Sequence, residues 1–592
     1  MKSSHFIAIF GFHLVASTLA ANSKDLPQSA PNVVVILTDD QGWGDLSIHG
    51  NKNLKTPNLD SLAREGAMME HFYVSPVCSP TRAEFLTGRY HLRGGVTSTS
   101  SGGERLNLGA ITIAEVFQQA GYATGAFGKW HNGTQPPYHP RCRGFDTFYG
   151  FTSGHWGHYY SPMMEADDHL VKGEGYMSDD FTNHAMRFVE AHREEPFFCY
   201  LAFNTPHSPM QVPETYWSRF EDQPLEMRYR EPDREDLDHT RAALAMCENL
   251  DWNVGRLLKK LDALALREST IVVFFCDNGP NGNRWNSDFR GRKGSTDEGG
   301  VRSPLFIRWP NHIRASTRLP QISAAIDLLP TLSDLAGIAP IKSSSVDGVS
   351  LSDLLLGRSS SIAERVIFSH WNGRVSARSQ NFRLDHQGRL YDMRADQAQR
   401  EEVSTRFPGI RQQLKDAVER WKTEQQVGIQ RPKRPFTVGD SDHHQTLLPV
   451  RDAQTTGKIS RSNRFPNDAY LTGWTQASDL IQWPVEVRHE GLYEVRLWYT
   501  CAPENLNSLL ELSFGGEKIR ARVDEAWNPA LQGAEQDRVP RQESLIKPFK
   551  PFPMGYLYLH KTSGDLRLKA LDIPGSSAPD IRLLELKYVQ NP

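Results

Sequence analysis

Four apolar runs in this chain each end in residues that can bind an ion or move a proton. Val33-Val34-Val35-Ile36-Leu37 drops into Asp39 and Asp40, and Tyr122 to Phe127 is followed by Lys129 and His131. Phe197 to Phe203 leads to His207, and Ile271 to Phe275 precedes Asp277 and Asn278. Singly, such residues are ordinary turn formers or solvated side chains. Their recurrence just past apolar strands is what points to a site, because open α/β sheets bind ligands in the crevice outside the carboxyl ends of their strands. Asp39, Asp40, Asp277 and Asn278 offer hard oxygens and no soft ligand, a donor set suited to Ca²⁺ or Mg²⁺.

Cys78 belongs beside them. In Val77-Cys78-Ser79-Pro80-Thr81-Arg82, Ser79 reads as an N-cap, Pro80 as a first helical position and Gly88 as a left-handed stop. Cys78 then lies at a helix N-terminus, where the partial positive charge favours a thiolate and attracts anions. Arg82, one turn along, points back to the same end. A buried or disulfide-bonded cysteine is the ordinary alternative.

The elements that must position these groups alternate. Strands at 33–37, 122–127, 197–203 and 271–275 are interleaved with helical stretches at 56–64, 78–87, 112–120, 237–266 and 327–336. Thr112-Ile113-Ala114-Glu115 is a capping box. This pattern predicts an α/β fold with a large, mostly parallel sheet flanked by helices.

The chain has 592 residues and a formal net charge of −3, so two or three domains are expected and a dedicated nucleic-acid binder is disfavoured. Its six cysteines are scattered singly, with no metal-finger spacing and no legible disulfide framework. Lys2, the apolar run Phe6 to Ala20 and the small residues Ala20-Ala21 read as a cleavable signal peptide over 1–21. With no other long apolar segment, stable membrane insertion is not expected, and the product should be exported, periplasmic or secreted.

A catalytic domain is expected over 25–361 and a small antiparallel α+β subdomain over 362–428. Residues 429–468, polar and with prolines at 432, 435 and 449, read as a linker. From 469 to 592 the apolar residues alternate, and Gly515-Gly516 joins two strands, which predicts an all-β sandwich. It resembles jelly-roll carbohydrate-binding modules, with a purely structural β-domain as the alternative.

The string Cys78-Ser79-Pro80-Thr81-Arg82 followed by Leu86-Thr87-Gly88-Arg89 resembles the sulfatase signature. Gly128-Lys129-Trp130-His131 is similar to a second motif of that family, which often continues with Leu-Gly where this chain has Asn132-Gly133. Pro206-His207-Ser208-Pro209 and Lys293-Gly294 through Glu298-Gly299-Gly300-Val301-Arg302 resemble two more. The resemblance covers about residues 31 to 425 and is to the exported bacterial polysaccharide type.

The resemblance implies an alkaline phosphatase-like fold. It implies that Cys78 is the precursor of formylglycine, made by a formylglycine-generating maturation enzyme. Asp39, Asp40, Asp277 and Asn278, with residue 78, are implied as ligands of Ca²⁺, or less readily Mg²⁺. Implied roles follow for the rest. Arg82 orients the hydrated aldehyde, whose hydroxyl attacks sulfur to give a covalent sulfo-enzyme. His207 and Lys293 serve the departing alkoxide, Lys129 neutralises sulfate, and His131 takes a proton so that sulfate is expelled.

Residues His155, Trp156, His158 and Tyr159, in an aromatic loop, suit stacking on a sugar and bonding to its hydroxyls. Arg284, Trp285 and Asp288 are similar candidates in the loop after Asn278. Export, the β-domain and these aromatics favour a sulfated carbohydrate as partner and substrate. The alternatives are a phosphonate or phosphodiester hydrolase of the same superfamily, and an inactive glycan-binding homologue that retains the thiol.

Overall fold

The computed structural model describes residues 30–339, 346–429, 433–466 and 468–589. The expected signal peptide lies outside the described residues. Among the described residues, no helix is long and apolar enough to cross a membrane.

An 11-stranded sheet organises the larger domain. Its strands are β1 (Asn32–Thr38), β2 (Ala67–Tyr73), β3 (Ala123–Lys129), β4 (Thr147–Phe151), β5 (Met163–Ala166) and β6 (His169–Lys172). They continue with β7 (Phe197–Ala202), β8 (Thr270–Cys276), β9 (Arg302–Ser303), β10 (Leu305–Arg308) and β11 (Thr317–Ala324). The order is β11-β2-β10-β8-β1-β7-β3-β4-β5-β6, with β9 paired to β2. At its centre β8, β1, β7 and β3 are parallel neighbours.

β1 has no exposed face. Val34 and Ile36 pack into one core with the helices Pro57–Glu65, Met177–Ala191 and Leu237–Ala263. Val33, Val35 and Leu37 pack into the opposite core with Cys78–Thr87, Ile113–Gln119 and Leu328–Leu335. A continuous β-branched run suits such a strand, since both faces bury apolar area worth about 1.5–3 kcal/mol per fully buried side chain.

Residues 362–428 form an antiparallel sheet of Ile367–Trp371, Arg374–Arg378, Phe382–Leu384 and Leu390–Asp392, against the helix Pro408–Gln425. The C-terminal unit is a sandwich of two six-stranded sheets around Trp474, Trp483 and Tyr493. It begins earlier than expected. Phe436–Val438 pairs with Val485 to Val487, and Gln445–Pro449 pairs with Leu583 to Lys587. Most of the stretch read as a linker is therefore edge strand and loop of the sandwich. Short edge strands set among polar residues and prolines are hard to distinguish from linkers by composition.

The sandwich is docked. Arg105 donates to the carbonyls of Pro435 and Arg434 at 2.6 Å each, and its guanidinium lies 4.7 Å from the Phe436 ring centroid. Gln135 donates to the Leu447 carbonyl at 2.8 Å.

Candidate active site

Because β8, β1, β7 and β3 run side by side in one direction, the groups following them meet at one edge. Backbone hydrogen bonds pin the loops together: Asp39 N to the Thr205 carbonyl at 3.1 Å, and Asp277 N to the Thr38 carbonyl at 3.0 Å. Asp40 takes a left-handed φ of 68°, unusual for a non-glycine, and its N–H donates to Asp277 Oδ1 at 3.2 Å. One potential ligand atom each from Asp39, Cys78 and Asp277 lie within 4.8 Å of one another, as do those of Asp39, Asp40 and His207.

Three buried carboxylates meet three cations. Lys129 Nζ is 2.6 Å from Asp39 Oδ2, and Lys293 Nζ is 2.7 Å from Asp40 Oδ1. Arg82 donates twice to Asp277 Oδ2, at 2.9 and 3.2 Å, and once to the Lys129 carbonyl at 2.8 Å. Burial alone would raise the carboxyl of Asp39, but Lys129, His207, Arg82 and Lys293 hold it far below the carboxylate range. Asp40 is held down likewise by Lys293 and His207 against burial. Asp277 is pushed up to about 7 by burial and by Asp39, against the pull of Arg82. A divalent cation facing these carboxylates would reverse that push. Asp39 Oδ1 and Asn278 Oδ1 are buried without a hydrogen-bond partner among the described residues. Orphaned hard oxygens beside clustered carboxylates fit a Ca²⁺ or Mg²⁺ ion.

The helix Cys78–Thr87 is buried on every side, and Gly88 ends it in the left-handed conformation, φ 64°. Its start differs from the sequence expectation. The N-cap is Val77 with no side-chain cap, and Cys78 is the first helical residue. Asn132 Nδ2 lies 3.3 Å from the carbonyl and from the hydroxyl of Ser79, tying the helix end to the Lys129–His131 loop. That contact gives the Asn132 departure from the family pattern a structural role. The expected thiolate is also overturned. Burial, with Asp39 and Asp277 nearby, pushes the Cys78 thiol up to about 11 despite Lys129 and Lys293. Arg82 is spent on Asp277 and the Lys129 carbonyl, so it positions ligands instead of facing the crevice.

His131 also has a left-handed φ, 65°. Its Nε2 is 2.8 Å from the Thr99 carbonyl, which places the proton there and leaves Nδ1 buried and without a partner among the described residues. Burial, reinforced by Lys129, holds its pKa well below the usual value, so the ring is neutral and Nδ1 can accept a proton. His207 Nδ1 lies 2.7 Å from the Ser208 carbonyl, and its Nε2 lies 3.7 Å from Asp40 Oδ2. Burial and Lys293 lower its pKa against the pull of Asp40. The side chains of His207 and Lys293 are 15% and 20% exposed, whereas those of Asp39, Asp40 and Lys129 are at most 1% exposed. The mouth of the crevice is therefore at His207 and Lys293.

The loop candidates divide. Arg284 does not face the crevice. It is buried in an ion pair with Asp45 at 2.6 Å and donates to the Asp40 carbonyl at 2.8 Å, bracing the Asp40 turn. Asp288 turns away into an exposed pair with Arg400 at 2.8 Å. Trp285 backs against Gly44, where a Cβ would lie 2.7 Å from its carbonyl oxygen. Tyr159 is buried, and its hydroxyl bonds to the carbonyls of His207 and Ser208 at 2.8 and 3.0 Å, shaping the His207 loop. His155 Nδ1 is 3.4 Å from His207 Nδ1. Trp156 and His158 border a neighbouring cavity.

Two clamps were invisible in the sequence. The small subdomain holds the Lys293 loop: Arg383 pairs with Glu298 at 2.7 Å and donates to the Thr296 carbonyl at 3.0 Å. The sandwich holds the His207 loop: Ser208 donates to Glu543 Oε1 at 2.7 Å, and Gln211 donates to the Gly533 carbonyl and Asp537 at 2.9 Å each. The sandwich partners are more than 300 residues apart in sequence and those of the small subdomain 85 and 87, and no local pattern marks them.

The sulfatase family model matches residues 31–338. An N-acetylgalactosamine-6-sulfatase of Mus musculus is 33% identical over 380 residues, covering 58% of this chain and 69% of that protein. Arylsulfatase A of Homo sapiens is 34% identical over 379 residues, covering 57% of this chain and 70% of that protein. Among solved structures, Ps i-CgsB in complex with k-i-k-neocarrahexaose is 28% identical with a TM-score of 0.60, covering 67% of this chain and 94% of that one.

Proposed function

The chain belongs to the sulfatase family of sulfuric ester hydrolases, and from that premise we propose that its substrate is a sulfate monoester on a sulfated glycan, hydrolysed at the Cys78 crevice. The observation that carries this reading is the convergence of Asp39, Asp277, Lys129 and Lys293 on the uncapped N-terminus of the Cys78 helix.

Asp39, Asp40, Asp277 and Asn278 would hold Ca²⁺, which when bound supplies charge to neutralise sulfate oxygens and polarise the nucleophile. A buried thiol pushed up to about 11 is a poor nucleophile. That supports oxidation of Cys78 by a maturation enzyme to formylglycine, an aldehyde that adds water to give a hydrate whose hydroxyl stands in place of the thiol. Lys129 and Lys293, with the free N–H groups of the helix end, bind the anionic sulfate and stabilise charge that grows on its oxygens. Arg82 holds Asp277 and the Lys129 backbone in place. His131 Nδ1, neutral and unpartnered, accepts the proton released at residue 78. Lys293 and His207, at the mouth, face the leaving alcohol, where the Lys293 ammonium, held in its charged form, stabilises the departing alkoxide. The Lys293 pKa is raised by Asp40 in spite of burial.

The mouse relative's name makes 6-sulfated N-acetylgalactosamine the first sugar to test. The test is sulfate release from defined sulfated oligosaccharides, set against a phosphodiester and a phosphonate monoester, with mass spectrometry of the Cys78 peptide. Release from a sulfated sugar with a modified residue 78 is expected. Preference for the phosphodiester, or an unmodified thiol after expression with a maturation enzyme, would overturn the reading.

A further inference from the structure

Beside the catalytic centre, the docked sandwich and the sheet domain enclose a cavity of about 460 Å³. Its volume lies within the range of small-ligand sites. Trp156 and His158 border it from the sheet domain, and Trp498, Phe549 and Asp468 from the sandwich. Gly154 and His155, between its lining residues Ser153 and Trp156, reach the catalytic residues. Gly154 packs so closely on His131 that a Cβ there would lie 2.2 Å from Nε2. The next residue, His155, has Nδ1 3.4 Å from His207 and Nε2 3.8 Å from Asp468 Oδ2.

The lining has a definite chemistry. Lys172, Arg451, Lys547 and Arg582 line it with Glu165 and Asp468; Lys547 is already paired with Asp580 at 2.9 Å and Arg582 with Asp468, so among the described residues Lys172 and Arg451 are the lining cations without a hydrogen-bonded carboxylate. Glu165 is committed to Thr152, whose N–H and hydroxyl donate to its Oε1 at 3.0 and 2.7 Å. Asp468 is 4% exposed; Arg582 takes its Oδ1, and among the described residues its Oδ2 has no hydrogen-bond partner, the His155 ring nitrogen standing off at 3.8 Å. A buried carboxylate oxygen lacking a donor is costly unless a ligand supplies one. Aromatic surface for a ring face, cations for an acidic group and an acceptor for a hydroxyl are together the recognition set of an acidic sugar.

We propose that this cavity is a subsite for an anionic sugar residue adjoining the one that carries the scissile sulfate. The proposal rests on the glycan reading above. It makes the sandwich one wall of the substrate site and gives the Trp156 loop its task.

The test uses the full chain and two substrates: N-acetylgalactosamine 6-sulfate, and a sulfated tetrasaccharide carrying that unit. In the wild type, kcat/KM for the tetrasaccharide should exceed that for the monosaccharide. Lys172→Glu and Trp498→Ala should each lower this ratio roughly tenfold, about 1.4 kcal/mol, through KM. Lys172 is exposed at a strand end, so its variant carries the test even if Trp498→Ala fails to fold. A wild-type ratio near one, or a ratio unmoved by Lys172→Glu, overturns the subsite while leaving the glycan reading intact. No sulfate release from either sugar, with 4-nitrophenyl sulfate still hydrolysed, removes the glycan reading and the subsite together.

Discussion

The central sheet and the C-terminal sandwich each bury aromatic residues in a core of their own but serve the site in opposite ways. In the sheet, parallel strands covered on both faces deliver their functional residues directly at their carboxyl ends, within a few positions of each strand. In the sandwich, antiparallel strands alternate inward and outward, as in Leu480–Val487 with its regular succession of buried and half-buried residues. Its contribution comes from a long loop, Gly533 to Glu543, that grips the His207 segment from outside. The small subdomain grips the Lys293 segment in the same manner. The sheet supplies the chemistry, and the two accessory units fix the two residues at the mouth.

The largest effect should come from the sheet side. Cys78→Ala should lower turnover of a sulfated sugar on the order of 10⁴-fold or more, since it removes the proposed precursor of the nucleophile. Thermal unfolding of this variant should stay close to the wild type, and activity surviving within tenfold would contradict the division of labour. Chelation of divalent cations should reduce activity on the order of a hundredfold, with recovery on adding Ca²⁺. Full activity after exhaustive chelation would count against the metal assignment.

Arg82→Met should destabilise the chain by about 3–5 kcal/mol in denaturant unfolding, because it strands Asp277 as a buried charge without its partner. On the sandwich side, Gln211→Ala should lower kcat about tenfold by loosening the His207 loop, equivalent to about 1.4 kcal/mol. If kcat were unchanged, the sandwich would be packing only.

The smallest effect concerns pH. His139 of the sheet domain stacks on His443 of the sandwich, ring centroids 4.2 Å apart, and burial pushes each down to about 3. The groups facing them include Arg141, which adds to the lowering, and Asp168, Glu165 and Asp440, which oppose it. Both rings are neutral in the folded protein. Their contribution to docking is therefore fully present above about pH 6.5, the ordinary value for unfolded histidine, and is lost as pH falls towards 3. The melting temperature should drop across that window, and His443→Phe should flatten the dependence. An identical slope in the variant would show that other groups control it.

Much of this was legible beforehand for a physical reason. β1, β7 and β8 are continuous apolar runs because both of their faces are buried, and the residues that follow must be polar to turn the chain. The Thr112 capping box formed as its spacing predicts. Cys78 as a helix-start residue was right, but its cap and its charge state were not. Those depended on Asn132 bonding to the Ser79 hydroxyl and on the burial of the sulfur, with Asp39 and Asp277 beside it. Arg284 looked like a substrate contact because a loop arginine after Asn278 carries no mark of burial. Only Asp45, 239 residues away, makes it a brace.

The sequence by itself determined the strand–helix alternation and the chemistry-bearing positions Asp39, Asp40, Cys78, Lys129, His131, His207, Asp277, Asn278 and Lys293, because those follow from local periodicity and from short motifs. Tertiary structure alone decided which charges pair, which tautomer of His131 leaves Nδ1 open, and how two distant units close on His207 and Lys293. Hydrogen bonds and desolvation act through space, between residues whose separation along the chain carries no pattern. Cys78 sits at the first helical residue because the sequence put it there; its thiol is pushed up because the fold buries it, with Asp39 and Asp277 beside it.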